Sequence, residues 1–158
     1  MAIKMFVMDV DGTLTDGKIY MGNQGELFKA FDIKDGLGVH EILPEHGVKT
    51  VIMTGRVSEI VERRAAELEV SIVLQGIKDK KKMLCELMEK HRCLPEEVAY
   101  IGDDLGDIPA IKACKFSACP GDAVRAVKEE CAYVCKKAGG SGAVREFIEW
   151  LLEQGHLE

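Results

Sequence analysis

The 158 residues are 47% hydrophobic and 30% charged, enough apolar material for one folded domain with a full core. The net charge of −6 argues against nucleic acid as the main partner, because phosphate backbones select a basic footprint. No apolar run approaches the roughly 20 residues that span a bilayer, and Met1–Met8 reads as a short strand rather than a leader, so neither membrane nor targeting segment is expected.

In chain order, Ile3–Met8 reads as a strand buried on both faces, and it delivers Asp9-Val10-Asp11-Gly12-Thr13-Leu14-Thr15 into a loop. Lys18–Asp32 alternates loosely around the turn signal Gly22-Asn23-Gln24-Gly25 and predicts an inserted β-hairpin. It is too small for a cap domain, and its apolar residues are expected to pack against other subunits. A first helix is expected near Val39–Leu43. Lys49–Met53, Val70–Leu74 and Val98–Ile101 read as further strands buried on both faces.

Between them, Ser58–Leu68 places Ile60, Val61, Ala65 and Leu68 on one side. Asp79–Arg92 carries Met83, Leu84, Leu87 and Met88, with Asp79 placed to cap it. Gly142–Gln154 lines up Val144, Phe147, Ile148, Leu151 and Leu152. This alternation predicts a three-layer α/β/α parallel sheet, residues 1–158 forming one domain with a hairpin at about 18–32.

Cys85, Cys93, Cys114, Cys119, Cys131 and Cys135 match neither a disulfide framework nor a zinc site, and read as reduced, mostly buried thiols of a cytoplasmic protein. His46, His91 and His156 read as solvent-facing.

The polar residues cluster after the strands. Asp9 follows the first, Thr54-Gly55-Arg56 the second, Gln75-Gly76 the third and Gly102-Asp103-Asp104 the fourth, with Lys80 just beyond the third. In open parallel sheets the carboxyl ends of the strands line the ligand crevice, so these groups should converge. Two carboxylates two residues apart at a strand end are costly unless they meet a cation. The set fits phosphoryl transfer. A divalent metal screens the phosphate, and one carboxylate attacks as a covalent nucleophile. Thr54, the Gly55 amide and Lys80 hold phosphoryl oxygens, while Asp11 serves as acid and base.

Taken singly, the signals are modest. Thr54-Gly55 is a common turn, Lys80 sits in the charge run Lys78–Lys82, and Gly139–Gly142 could be a linker. Arg56 and Arg64 are expected to share a helical face, as surface arginines often do. An EF-hand loop is disfavoured because its glycine belongs at the sixth position, not the fourth.

Asp9-x-Asp11-Gly-Thr, Thr54-Gly55, Lys80 and Gly102-Asp103-Asp104-x-x-Asp107 resemble the four ordered motifs of haloacid dehalogenase superfamily phosphatases. Phe31-Asp32-Ile33-Lys34-Asp35-Gly36, Thr54-Gly55-Arg56, Gln75-Gly76 with Lys80, and Gly139–Glu146 are similar to the 3-deoxy-D-manno-octulosonate 8-phosphate phosphatase family, across almost the whole chain. The resemblance implies a Rossmann-like fold without a cap domain, a homotetramer in which neighbouring subunits close each active site, and a role in making the sugar of lipopolysaccharide. It implies magnesium held by Asp9, the Asp11 backbone carbonyl and Asp103, with Asp9 as nucleophile and Asp11 as acid/base. Thr54 and Lys80 would bind the phosphoryl group, with Asp104 and Asp107 in support. Asp32, Ile33, Lys34, Asp35, Gly36, Arg56 and Arg64 would match positions contacting the sugar acid, where arginine suits a carboxylate.

Two positions depart from the family. His40 stands where relatives often carry arginine, and Asp32 where asparagine is frequent. Arg56 favours the eight-carbon substrate over a nine-carbon, sialic-acid-type 9-phosphate, whose phosphatases carry glutamate after Thr-Gly. A receiver-type signalling domain shares several of these groups, but its acceptor aspartate stands alone after a middle strand.

Overall fold

Alternation along the first strand decides the layers. In the computed structural model, which describes residues 1–158, β1 (Met5–Met8) is fully buried, and its successive side chains leave the sheet on opposite faces. Phe6 and Met8 enter one core cluster, Met5 and Val7 another. Only a sheet covered on both sides accommodates such a run.

The chain continues through the hairpin β2 (Tyr20–Gly22) and β3 (Gly25–Phe28) into α1 (Ile33–Leu37), a π-helical turn at Gly38–Ile42 and α2 (Leu43–Glu45). Next come β4 (Lys49–Met53), α3 (Glu59–Glu67), β5 (Ile72–Leu74), α4 (Lys80–His91) and β6 (Val98–Ile101). After a 3₁₀ turn at Leu105–Asp107 the chain forms α5 (Ile108–Ala113), β7 (Phe116–Cys119), α6 (Arg125–Lys128), β8 (Tyr133–Val134) and α7 (Ala143–Glu153). The six-stranded sheet has the order β5-β4-β1-β6-β7-β8, and every neighbouring pair is parallel. The fold is thus α/β and Rossmann-like, with a separate antiparallel hairpin.

Val39, Leu43, Val61, Ala65, Phe147 and Ile148 cover one face of the sheet, and Leu84, Leu87, Ala110, Ile111 and Val127 the other. In α7, Val144, Phe147, Ile148 and Leu151 recur at helical spacing and are wholly buried. Each large apolar side chain so buried contributes about 1.5–3 kcal/mol. Asp79 caps α4, accepting from Lys82 N at 3.0 Å.

Several expectations change. β5 is shorter than Val70–Leu74 and half-buried, because it is the edge strand and lacks a neighbour on one side. β8, α5 and α6 carry too few residues to show a period, and Ser117 interrupts the apolar run of β7, so the sequence predicts none of the four. The first helical run begins at Ile33, well before Val39. The histidines are half-buried rather than solvent-facing: His46 meets the Glu158 carbonyl at 2.9 Å, His91 meets Lys49 at 3.1 Å and His156 tilts over Phe116. All six cysteines are free, but only Cys119 and Cys135 are fully buried. No helix is long and apolar enough to cross a membrane.

Candidate active site

Strand order sets the site. From β1 the chain passes to β4 and β5 on one side and then returns to β6 on the other. The carboxyl ends of β1 and β6 therefore flank a topological switch point, where open α/β sheets bind ligands. Met8 pairs with Ile52 of β4 and Ile101 of β6, so Asp9, Thr54 and Asp103 leave adjacent strands at similar heights.

Gly12 completes the approach. It has φ +92°, and a Cβ there would lie 2.0 Å from Asp103 Oδ2. Only glycine lets the Asp103 carboxylate this close to the turn. Thr13 donates its hydroxyl to Asp103 Oδ1 at 2.9 Å. The loop before α7 braces the turn from behind: a Cβ on Gly139 would strike Gly12 O at 2.0 Å, and Gly140 N donates to Thr13 O. Gly139–Gly142 is thus a packed loop and not a free linker.

Asp9 is 6% exposed and Lys80 8% exposed. The Lys80 ammonium donates to Asp9 Oδ1 at 3.0 Å and to Asp107 Oδ1 at 2.7 Å. Burial acts to lower the Lys80 pKa, but the charges of Asp9 and Asp107 outweigh it and hold it above the ordinary lysine value. Of the charge run 78–82, Lys80 alone is buried.

Burial raises the pKa of Asp9, with the Asp107 charge adding and Lys80 opposing. Burial also raises Asp103, reinforced by its hydrogen bond to Asp9 and the Asp9 charge. Two carboxyl groups this close resist double ionisation without a cation.

Oxygens of Asp9, Asp103 and Asp107 lie within 4.8 Å of one another. Asp107 is already saturated. It accepts from Lys80 and from the Tyr100 hydroxyl at 2.6 Å through one oxygen, and from the backbone N–H groups of Asp103 and Asp104 at 3.0 and 3.2 Å through the other. Asp9 and Asp103 keep acceptor capacity, and one ammonium does not balance three carboxylates. This hard oxygen set fits a dication such as magnesium. Asp104 is exposed and receives Leu105 N at 2.7 Å.

A crevice of about 270 Å³ joins Asp9, Asp11, Thr54, Gly55, Arg56, Lys80, Asp104 and Asp107. The other expected residues gather elsewhere. Asp32 caps α1 and accepts from Lys34 N at 2.7 Å, while Lys34 Nζ sits 3.1 Å from its second oxygen. Asp35 points away from solvent and accepts from Arg145 N at 2.9 Å, under the start of α7. Arg64 lies over Phe31 at 5.5 Å and packs against Gly36. With Ile33 it borders two shallow cavities beside α1, and His40 borders one of them. His40 Nδ1 sits 3.1 Å from the Leu68 carbonyl. Because α3 starts only at Glu59, Arg56 precedes the helix and shares no helical face with Arg64, so that expectation is corrected.

Lys29, Glu26 and Tyr100 escaped the reading of the sequence. Tyr100 looks like any core aromatic in a buried strand. Lys29 and Glu26 look like ordinary polar positions of a hairpin, yet Lys29 Nζ lies 2.6 Å from Asp11 Oδ1.

Residues 33–115 match the haloacid dehalogenase-like hydrolase family. The chain belongs to that family. Its Escherichia coli K12 relative, a 3-deoxy-D-manno-octulosonate 8-phosphate phosphatase, is 42% identical over 99% of this chain and 83% of its own length. The Yersinia pestis phosphatase of the same name is 42% identical, with a TM-score of 0.92 over 98% of this chain and 84% of that one. The Moraxella catarrhalis phosphatase, solved with magnesium, phosphate and KDO, is 41% identical, with a TM-score of 0.91 over 96% of this chain and 86% of that one. As a haloacid dehalogenase-like hydrolase, the chain has its acidic cluster at the sheet end that this fold uses for ligands.

Proposed function

We propose that this hydrolase is a magnesium-dependent phosphatase converting 3-deoxy-D-manno-octulosonate 8-phosphate to the free sugar acid and phosphate. The observation that carries the reading is the buried Asp9 held between Lys80 and Asp103 at the switch point, in a chain aligned nearly end to end with phosphatases of that name.

Magnesium would be held by Asp9, Asp103 and the Asp11 carbonyl. When bound it offsets the negative charge of carboxylates and phosphoryl group. Asp9 attacks phosphorus, and an aspartyl-phosphate forms as the ester O–P bond breaks. Asp11 gives its proton to the departing alcohol oxygen, then takes one from the water that attacks the phosphoryl group and frees Asp9. Thr54, the Gly55 amide and Lys80 hold phosphoryl oxygens. Asp107 keeps Lys80 and the Asp103 loop in place, beside Asp104.

Arg56, at the crevice mouth, meets the sugar carboxylate. Asp32–Gly36, His40 and Arg64 do not border that crevice within one chain, so we assign them to a site shared between subunits of a homotetramer. Met21, Leu27, Phe28 and Ile33 are 60%, 64%, 50% and 81% exposed, an apolar surface that favours a partner copy. Free thiols support a cytoplasmic setting, and the substrate class supports a place in lipopolysaccharide synthesis.

The test is phosphate release from eight- and nine-carbon ulosonate phosphates, with magnesium and with chelator. Preference for the eight-carbon ester, lost on chelation, is expected. Preference for the nine-carbon ester would replace the substrate, and metal-independent release would sink the mechanism.

A further inference from the structure

We propose that Lys29 is a positioning residue for Asp11, and that with Glu26 it couples the hairpin to the proton-transfer step. The proposal rests on the acid/base role given to Asp11 above. Lys29 follows directly after β3 and its side chain is only 2% exposed. Its ammonium donates to Asp11 Oδ1 at 2.6 Å and forms an ion pair with Glu26 Oε2 at 2.9 Å.

Glu26 is anchored in turn. Its Oε1 accepts from the Ser58 hydroxyl at 2.8 Å, and its Oε2 lies 3.6 Å from the Arg56 guanidinium. Two cations and two carboxylates thus run from the acid/base to the residue at the crevice mouth, with no charge left over. The chain crosses from the Asp11 turn to the hairpin and on to the loop before α3, three segments with no shared secondary structure.

The physical need is rotamer control. The Asp11 carboxylate takes its side-chain hydrogen bond from Lys29 alone, and a carboxyl on a loop otherwise has several staggered orientations. A general acid contributes about 10²–10⁴-fold only while it points at the departing oxygen, and a misplacement of about 1 Å can cost about 10²-fold. An ammonium buried just beyond the hairpin strand β3 narrows Asp11 to one region. The order of the hairpin therefore enters the rate without any hairpin group touching phosphorus.

The test compares full-length wild type, Lys29→Met, Lys29→Arg and Asp11→Asn on two monoesters, a simple alkyl phosphate and p-nitrophenyl phosphate, with magnesium. The nitrophenolate leaves without needing a proton, and kcat/KM reports the step in which the leaving group departs. Lys29→Met should lower kcat/KM about 10- to 100-fold on the alkyl ester and less than about threefold on the aryl ester. Asp11→Asn should share that bias, Lys29→Arg should recover part of the loss, and inhibition by inorganic phosphate should stay unchanged.

Equal losses on both esters, or a weakening of phosphate inhibition that matches the loss, would overturn the role of Lys29. Should Asp11→Asn lack the bias, the acid/base assignment falls and takes this proposal with it. Wild type that releases no phosphate from the ulosonate phosphates with magnesium would instead refute the phosphatase reading. Because Lys29→Met leaves two carboxylates facing each other, Lys29→Met/Glu26→Gln provides a charge-balanced second variant with the same expected bias.

Discussion

The Lys80 ammonium lies 3.0 Å from Asp9 Oδ1 although 71 residues separate the two in sequence. The contact exists because β1 and β4 are hydrogen-bonded neighbours, and the loop after β5, next to β4, leads into α4. It joins the proposed nucleophile to a cation that also binds Asp107. One buried ammonium thus orders two carboxylates, and substitutions around it separate chemistry from folding.

Asp9→Asn keeps the side chain's size and one acceptor oxygen but removes the attacking carboxylate. Turnover should fall on the order of 10³-fold or more, with an unchanged circular-dichroism spectrum. Substantial residual phosphate release would refute Asp9 as nucleophile.

Tyr100→Phe removes one of the two donors to Asp107 Oδ1 and leaves the aromatic ring in the core. The loss of a hydrogen bond to a charged acceptor should cost about 1.5–3 kcal/mol in urea unfolding. Activity should fall modestly, since Lys80 still holds Asp107. An unchanged midpoint would show that the bond adds nothing to stability.

Asp103→Asn removes one of two carboxylates that crowd each other when both are ionised. In the wild type, magnesium should raise the melting temperature by binding the folded state alone. In the variant that gain should shrink to near zero. An equal gain in both proteins would place the ion elsewhere.

Asp35 provides a pH test away from the metal cluster. Burial raises its pKa from 3.8 to about 6, and the Arg145 N–H only partly compensates. A carboxyl raised on folding stabilises fully below its unfolded pKa and loses that contribution as pH rises through the folded value. Stability should therefore decline between about pH 4 and pH 6 by on the order of 2 kcal/mol. Asp35→Asn should flatten that part of the profile in urea titrations taken at each pH, and a slope that survives the substitution would assign it to other groups.

Arg56→Ala should raise KM for the sugar-acid phosphate about 10-fold or more and change little on an aryl phosphate, because only the former carries a carboxylate for a guanidinium to grip. Equal loss on both substrates would argue against a carboxylate contact.

The sequence by itself determined four of the six strands of the sheet and the candidate reacting groups at their ends. Runs such as Val98–Ile101 can be satisfied only by burial on both faces, and Asp-x-Asp-Gly-Thr at a strand end has few uses other than holding a cation. It also determined the α4 cap, because Asp79 has a local partner three residues on. Short segments such as β8 and α6 stayed invisible, since two to four residues establish no period.

Tertiary structure alone decided which polar residues meet. Lys80 differs from Lys81 and Lys82 only in the direction the first turn of α4 gives its side chain, and Asp35 differs from Asp32 only in facing α7 instead of its own backbone. Lys29 reaches Asp11 because the hairpin folds back over the first loop. Such contacts arise from the order in which strands stack and from how loops return, neither of which is encoded within any one segment.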